Sequence, residues 1–213
     1  SYLENIVSFL KKNLNSRQFT QYFHPFKNLD ALENNKNRAW GWKDPRNVYT
    51  LPIWLKLFPK AKVIFIKRHG VDVAASLRKR ALKEADKVKS SAQISEENKG
   101  LSSFSSRCST LEGGLELWNE YNYEAEETLK RLKEVSYIKL EYENLLINPN
   151  QVINKIREFL DGYSLSKECN ISFDESRAFA FRDSPELLAF AKKNMDKLNN
   201  DLQIILPNTR TNQ

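Results

Sequence analysis

Glycine is scarce in this chain, with six among 213 residues, and Gly41 alone precedes Lys43. A loop that cradles phosphate with successive backbone N–H groups needs glycine and small hydroxyl residues. No such loop can therefore be read before Lys43. The two cysteines, Cys108 and Cys169, lack CxxC spacing, which removes the usual basis for a zinc site or a disulfide framework. No metal is expected, and a reducing, cytoplasmic setting is the default. No apolar run approaches the roughly 18 residues of a membrane helix. Methionine occurs once, at Met195, and the chain opens on Ser1, so sequence upstream of Ser1 is expected. The net charge of +7 suits an anionic ligand. No RNP-like, zinc-finger or arginine-rich signature accompanies it, so nucleic acid is not expected.

A hydrophobic fraction of 40% and a charged fraction of 29% describe a globular chain, long enough for a core and expected to form one domain, 1–213. Leu3, Ile6, Val7, Leu10 and Leu14 at helical spacing predict an amphipathic helix over 2–14. Residues 15–36 read as irregular structure or a short helix, and 39–42 as an extended piece. A helix is predicted over 48–58 with Pro52 in its first turn, then a strand over 62–67. Val63 to Ile66 is an apolar run short and β-rich enough for a strand buried on both faces. The next helix runs from Val71 to about Ala85. Residues 86–110, rich in Ser and Lys, read as a mobile surface insertion that either lids the substrate or is an ordinary loop. Helices over 111–133, 151–160 (closed by Gly162) and 185–202 (capped by Ser184), and a strand over 136–140, complete the order. Helices alternating with buried strands argue for an α/β fold with a parallel sheet.

The most informative stretch joins Trp42-Lys43-Asp44-Pro45-Arg46 to the strand–turn–helix at Phe58–Arg80. Arg68 ends the strand. Ser76 lies eight residues on, and Arg80 four beyond it on the same helix face. An arginine fork, a hydroxyl and a second arginine at a helix amino terminus are donors that hold a phosphate or sulfate. Each also has an ordinary reading: Arg68 as the ion-pair partner of Asp72, Ser76 as a small packing residue, Arg80 as surface charge. Asp44 reads as a turn cap before Pro45, and Arg46 as either an acceptor contact or an exposed ion pair. Trp40 and Trp42 read as core.

These segments resemble the sulfotransferases that use 3′-phosphoadenylyl sulfate. In that family an Arg at a strand end and a Ser eight residues later hold the donor's 3′-phosphate, which the resemblance carries to Arg68 and Ser76. The protein-tyrosine branch adds an Arg matching Arg80 and a Lys-Asp-Pro matching Lys43 to Pro45. Bacterial members carry the fuller Trp-x-Lys-Asp-Pro-Arg. Trp118, Tyr121 and Tyr142-Glu143-Asn144-Leu145-Leu146 with Asn148-Pro149 extend the likeness across roughly residues 40–162. It implies a P-loop-NTPase-like parallel sheet flanked by helices, amino-terminally incomplete. It implies 3′-phosphoadenylyl sulfate as donor, adenosine 3′,5′-bisphosphate as product, Lys43 at the transferring sulfonate, and Tyr142 near the adenine. The acceptor would be a hydroxyl or amine on a small molecule, glycan or peptide.

The pattern departs from the family in three places. The phosphosulfate loop and first strand are not found, so the chain as it stands is expected to be a poor catalyst or an inactive fragment. The position two after Lys43 is Pro45, where cytosolic members carry a catalytic His; the base is expected outside this chain, as a Glu of the protein-tyrosine kind upstream of Ser1 would be, with His24 and His69 as lesser alternatives. A carboxyl-terminal Arg-Lys-Gly loop is not visible, and Arg177 and Arg182 are its possible substitutes. Two other readings stay open: a P-loop kinase-like transferase, and a non-catalytic module that binds a nucleotide or polyanion. No feature sets an oligomeric state.

Overall fold

A computed structural model describes residues 2–14, 41–90, 105–132, 134–160 and 172–198. Among them the chain is mostly helical around one small parallel two-stranded sheet, β1 (Val63–Lys67) paired with β2 (Tyr137–Glu141). This composition is consistent with the α/β class. No helix among the described residues is long and apolar enough to cross a membrane. The chain divides into two compact units: Ser1–Ile66 with Glu124–Leu140 and Asn148–Phe173, and Lys67–Tyr123 with Glu141–Ile147 and Asp174–Gln213.

In the first unit, α1 (Tyr2–Leu14) has the expected bounds. Its Leu14, Val7 and Leu10 pack with Leu57, Trp54 and Phe58 of α2 (Asn47–Leu57) and the residue after it. Pro52 lies inside α2, not in its first turn as expected. The reason lies upstream. Asp44, Pro45 and Arg46 carbonyls accept the N–H groups of Asn47, Val48 and Tyr49, so a tight turn starts the helix early and leaves Pro52 deeper. The ring costs that turn the bond a Pro52 N–H would have made.

The strand β1 corrects a second expectation. Its residues alternate between half-buried and exposed, with Ile64 36% and Ile66 48% exposed. A strand turns successive side chains to opposite faces, and among the described residues one face of this two-stranded sheet is the more deeply covered. The Val63 N–H donates to the Ser136 carbonyl at 2.9 Å. The Lys62 ammonium donates to the Phe159 carbonyl at 2.5 Å and lies 5.3 Å from that ring's centre, closing the end of a helix over Pro149–Phe159. Gly162, the predicted cap, and residues 15–36 lie outside the described residues.

The second unit holds the larger core. Val71 and Ala74 of α3 (Gly70–Ser90), Leu111, Leu115 and Trp118 of α4 (Leu111–Arg131), and Phe181, Phe190, Ala191 and Leu198 are all buried together. Each large apolar side chain contributes about 1.5–3 kcal/mol by leaving water. Two glycines set how closely these elements approach. A Cβ on Gly114 would lie 3.0 Å from the Ala74 Cα. One on Gly70 would lie 2.9 Å from Leu115 Cδ1 and Trp118 Cε3 and 3.0 Å from Leu198 Cδ2. Gly70→Ala is therefore expected to destabilise by about 1–3 kcal/mol through overpacking. Urea unfolding tests this, and an unchanged midpoint would show that the core yields to a methyl group.

The helix α3 continues five residues past its predicted end, to Ser90, so residues 86–90 of the expected insertion are helical. Its far end is a 3-10 turn over Ser106–Ser109. Arg107 forks there onto Glu120 at 2.6 and 2.9 Å. Residues 91–104 lie outside the described residues. The last helix, Pro185–Lys193, starts as expected, with Ser184 accepting the Leu187 N–H. It stops nine residues short of the predicted end. The Asn194 N–H is shared between the Phe190 and Ala191 carbonyls, and a 3-10 turn then puts Leu198 into the core.

Candidate functional site

Lys43 lies in the first unit, exposed, on the irregular segment that enters α2. Asp44 beside it has a structural task. Its carboxylate accepts the Arg46 backbone N–H at 2.9 Å and takes the Arg46 guanidinium in a fork, at 2.6 Å to Nη2 and 3.0 Å to Nε. The Arg46 hydrogen bonds, with a smaller pull from Lys43, hold the Asp44 carboxyl down at about 2. Asp44 is thus the turn cap the sequence suggests, and Arg46 is its ion-pair partner. Trp42 is not core: it is 39% exposed, with its ring edge-on to Trp54 at 5.0 Å. Trp40 lies outside the described residues.

Arg68, Ser76, Arg80 and Tyr142 all belong to the second unit. Arg68 leaves β1 with its carbonyl accepting the Trp118 indole N–H at 2.9 Å. Its guanidinium lies over the Tyr142 ring, 4.8 Å from the centre, in cation–π geometry. Nη2 makes a long bond to the Arg177 carbonyl, 3.4 Å, and stands 3.8 Å from Asp72 Oδ2. The buried Nε–H has no hydrogen-bond acceptor among the described residues. Ser76 is half-buried and lies six residues into α3, about 9 Å along the axis. Arg80 is exposed one turn further. Cα–Cβ bonds of a helix tilt toward its amino terminus, the end at which Arg68 lies. The structure joins Arg68 to Tyr142; it shows no bond from Arg68 to Ser76 or Arg80 among the described residues.

The frame behind Arg68 is built from His69, Asp72 and Glu143, whose hydrogen bonds to the backbone give them tasks the sequence did not announce. His69 precedes α3 and caps it, its Nδ1 accepting the Val71 N–H at 3.4 Å. In a capping box the acid three residues into the helix would accept the N–H of the capping residue. Here Glu143, from the short helix α5 (Tyr142–Ile147), takes the His69 N–H at 2.9 Å. Asp72, the residue at that third position, instead accepts the Phe181 N–H at 2.9 Å. One carboxylate therefore holds α5 to the start of α3, and the other holds the 180–183 turn there. The His69 ring stacks on Phe181 at 4.4 Å and meets Phe179 edge-on at 5.8 Å. His69 is only 6% exposed, so it is a cap and core residue and does not present itself to an acceptor as a base. His24 lies outside the described residues.

Phe179 has φ 53, the left-handed region a bulky residue adopts only when its surroundings enforce it. Arg182 lies over the Phe179 ring at 4.4 Å. The turn that carries Arg177 and Arg182 is thus fastened beside Arg68. Asp72 position, four after Arg68, and Glu143, directly after Tyr142, were the available sequence signals.

Burial raises the carboxyls of both Asp72 and Glu143. Arg68 opposes the shift at Asp72; the His69 N–H opposes it at Glu143, and Asp72 adds to it there. A carboxyl raised on folding contributes stability that is fully present below its unfolded value and is lost as pH rises through its folded value. The part of the stability that these two carboxyls contribute should therefore be lost as pH climbs from about 4, and the melting temperature of Asp72→Asn with Glu143→Gln should fall less, or rise more, than that of wild type over that range. Parallel curves for wild type and double variant would refute it.

A sequence model of the sulfotransferase family matches residues 3–163, well over half of the chain. The chain belongs to the sulfotransferase family. It is accordingly a transferase of the kind that moves sulfonyl groups. The match begins far upstream of Trp42, where the recognisable motifs start, and includes Lys43, Arg68, Ser76, Arg80 and Tyr142. It ends before the turn that carries Arg177 and Arg182. No curated protein sequence matches the chain. Among the described residues no group of His, Cys, Asp and Glu is arranged to hold a metal ion.

Proposed function

We propose that this sulfotransferase moves a sulfonate from 3′-phosphoadenylyl sulfate to a hydroxyl or amine on a small molecule, glycan or peptide, in the cytoplasm and on a P-loop-like parallel sheet. The bond between sulfur and the donor's phosphate oxygen breaks as the bond from sulfur to the acceptor forms. The acceptor's proton leaves to a base, and adenosine 3′,5′-bisphosphate is released. Arg68, Ser76 and Arg80 bind the 3′-phosphate, with Tyr142 beside the adenosine. Lys43 faces the sulfonate. A fixed cation there stabilises charge that moves between attacking and leaving oxygens, the term that dominates catalysis in the related phosphoryl transfer.

The observation that carries this reading is the Arg68–Tyr142 pairing at 4.8 Å. It brings the cation assigned to the 3′-phosphate against the ring assigned to the nucleoside, although the two lie on different helix–strand junctions. Calorimetric titration with adenosine 3′,5′-bisphosphate and, as control, adenosine 5′-phosphate tests it. The bisphosphate should bind more tightly by a factor of about ten or more, the worth of one charge-assisted contact. Equal affinities would remove the 3′-phosphate from the assignment. Binding of both with a steep salt dependence and no preference would favour a general polyanion module instead.

A further inference from the structure

Arg68 already has a counter-ion, and a poor one. Asp72 Oδ2 stands 3.8 Å from Arg68 Nη2, too far for a hydrogen bond, and that oxygen is buried with no hydrogen-bond partner among the described residues. The other oxygen, Oδ1, is committed to the Phe181 N–H. The Asp72 side chain is 4% exposed, so water does not stabilise its charge. A phosphate that takes the guanidinium would leave Asp72 as a buried carboxylate beside a dianion, an arrangement a low-dielectric site does not sustain.

We propose that an incoming phosphate displaces Asp72 from Arg68 and that Asp72 takes up one proton from solvent as it does so. The inference rests on the phosphate-binding reading of Arg68 given above. The groups around Asp72 support it. Arg68 faces it from the end of β1 and Arg182 from the 180–183 turn, while Glu143 on α5 adds a second buried negative charge. His69 uses Nδ1 to accept the Val71 N–H. Ser76 and Arg80 follow Asp72 on α3 at four-residue steps, each turn more exposed. Burial already favours the protonated Asp72 in the free protein, and loss of Arg68 as partner removes the main opposing influence. Asp72 is a positioning residue: it holds Arg68 and the Phe181 turn in place before binding and gives way on binding.

The test is calorimetry with adenosine 3′,5′-bisphosphate in two buffers of different ionisation enthalpy, from mildly acidic to neutral pH, on wild type, Asp72→Asn, Glu143→Gln and Arg68→Ala. The phosphate itself titrates near pH 6, so the informative quantity is the difference between wild type and Asp72→Asn. Wild type should take up close to one proton more than the Asn variant, and its affinity should fall more steeply with pH, by up to tenfold per unit. Asp72→Asn keeps an acceptor for the Phe181 N–H, so it should bind at least as tightly at neutral pH. Glu143→Gln should leave the extra uptake in place. Equal uptake in wild type and Asp72→Asn, or loss of it in Glu143→Gln alone, would overturn the proposal. So would a uniform loss of affinity in a folded Asp72→Asn at every pH, the mark of a purely structural role. Bisphosphate binding that survives Arg68→Ala would instead overturn the phosphate-site reading, and the proposal with it. If the Asn variant fails to fold, infrared difference spectra of wild type decide: binding should raise a protonated-carboxyl band, and its absence refutes the uptake.

Discussion

Arg68→Ala should weaken binding of adenosine 3′,5′-bisphosphate by about two to three orders of magnitude and leave adenosine 5′-phosphate nearly unaffected. Truncating one partner of a hydrogen-bonded charge pair costs about 2–5 kcal/mol, much of it from the charge left behind. Here that charge is the phosphate dianion. Arg68→Lys should recover only part of the loss. An ammonium keeps the charge but cannot lie flat on Tyr142 at 4.8 Å and offers no planar fork. Tyr142→Leu should therefore weaken binding even in the presence of Arg68, by releasing the guanidinium from the ring. Parallel titrations of the three variants decide it. A loss in Arg68→Ala that is equal for both nucleotides would mean that Arg68 supports the fold or the 5′-phosphate, not the 3′-phosphate.

Lys43→Met should lower kcat by about 10²–10³ while leaving bisphosphate affinity near wild type. The magnitude is that of removing one preorganised donor from developing oxygen charge. Lys43 is exposed and its neighbour Asp44 is saturated by Arg46, so the ammonium is not consumed by the adjacent carboxylate. Methionine preserves the apolar stem, which keeps the segment's packing intact. Release of bisphosphate from the donor with water as acceptor reads the rate without a known acceptor. A fall in affinity with unchanged kcat would place Lys43 in ground-state binding. Asp44→Asn tests the neighbouring assignment: it should loosen the start of α2 and lower stability, with a smaller effect on rate than Lys43→Met.

The four motif residues differ in how far tertiary structure was needed to read them. Arg68, Ser76 and Arg80 are local: a strand end followed by a helix puts them in register by chain geometry alone, and their spacing is legible in a string of letters. Tyr142 is remote in sequence. Its place over the Arg68 guanidinium comes from β2 pairing beside β1, a partnership that composition cannot reveal. The apolar run Val63 to Ile66 announced a strand correctly but overstated its burial, because periodicity reports what a side chain is, not what covers it.

The family, the helix α1, both strands and the Ser184 cap were legible in the order of the residues. These depend on short-range order: helical spacing, β-rich runs, turn chemistry and motif spacing within one segment. The tertiary structure was needed to show that Glu143 accepts the His69 N–H in place of Asp72, that His69 is buried, and that Arg177 and Arg182 stand on a turn fastened beside Arg68. The carboxylate partners and the place of Arg177 depend on hydrogen bonds between groups 74 to 109 residues apart, and the burial of His69 on rings equally remote in the chain. A buried carboxylate takes whichever N–H the fold brings within reach, and no local pattern specifies which one that is.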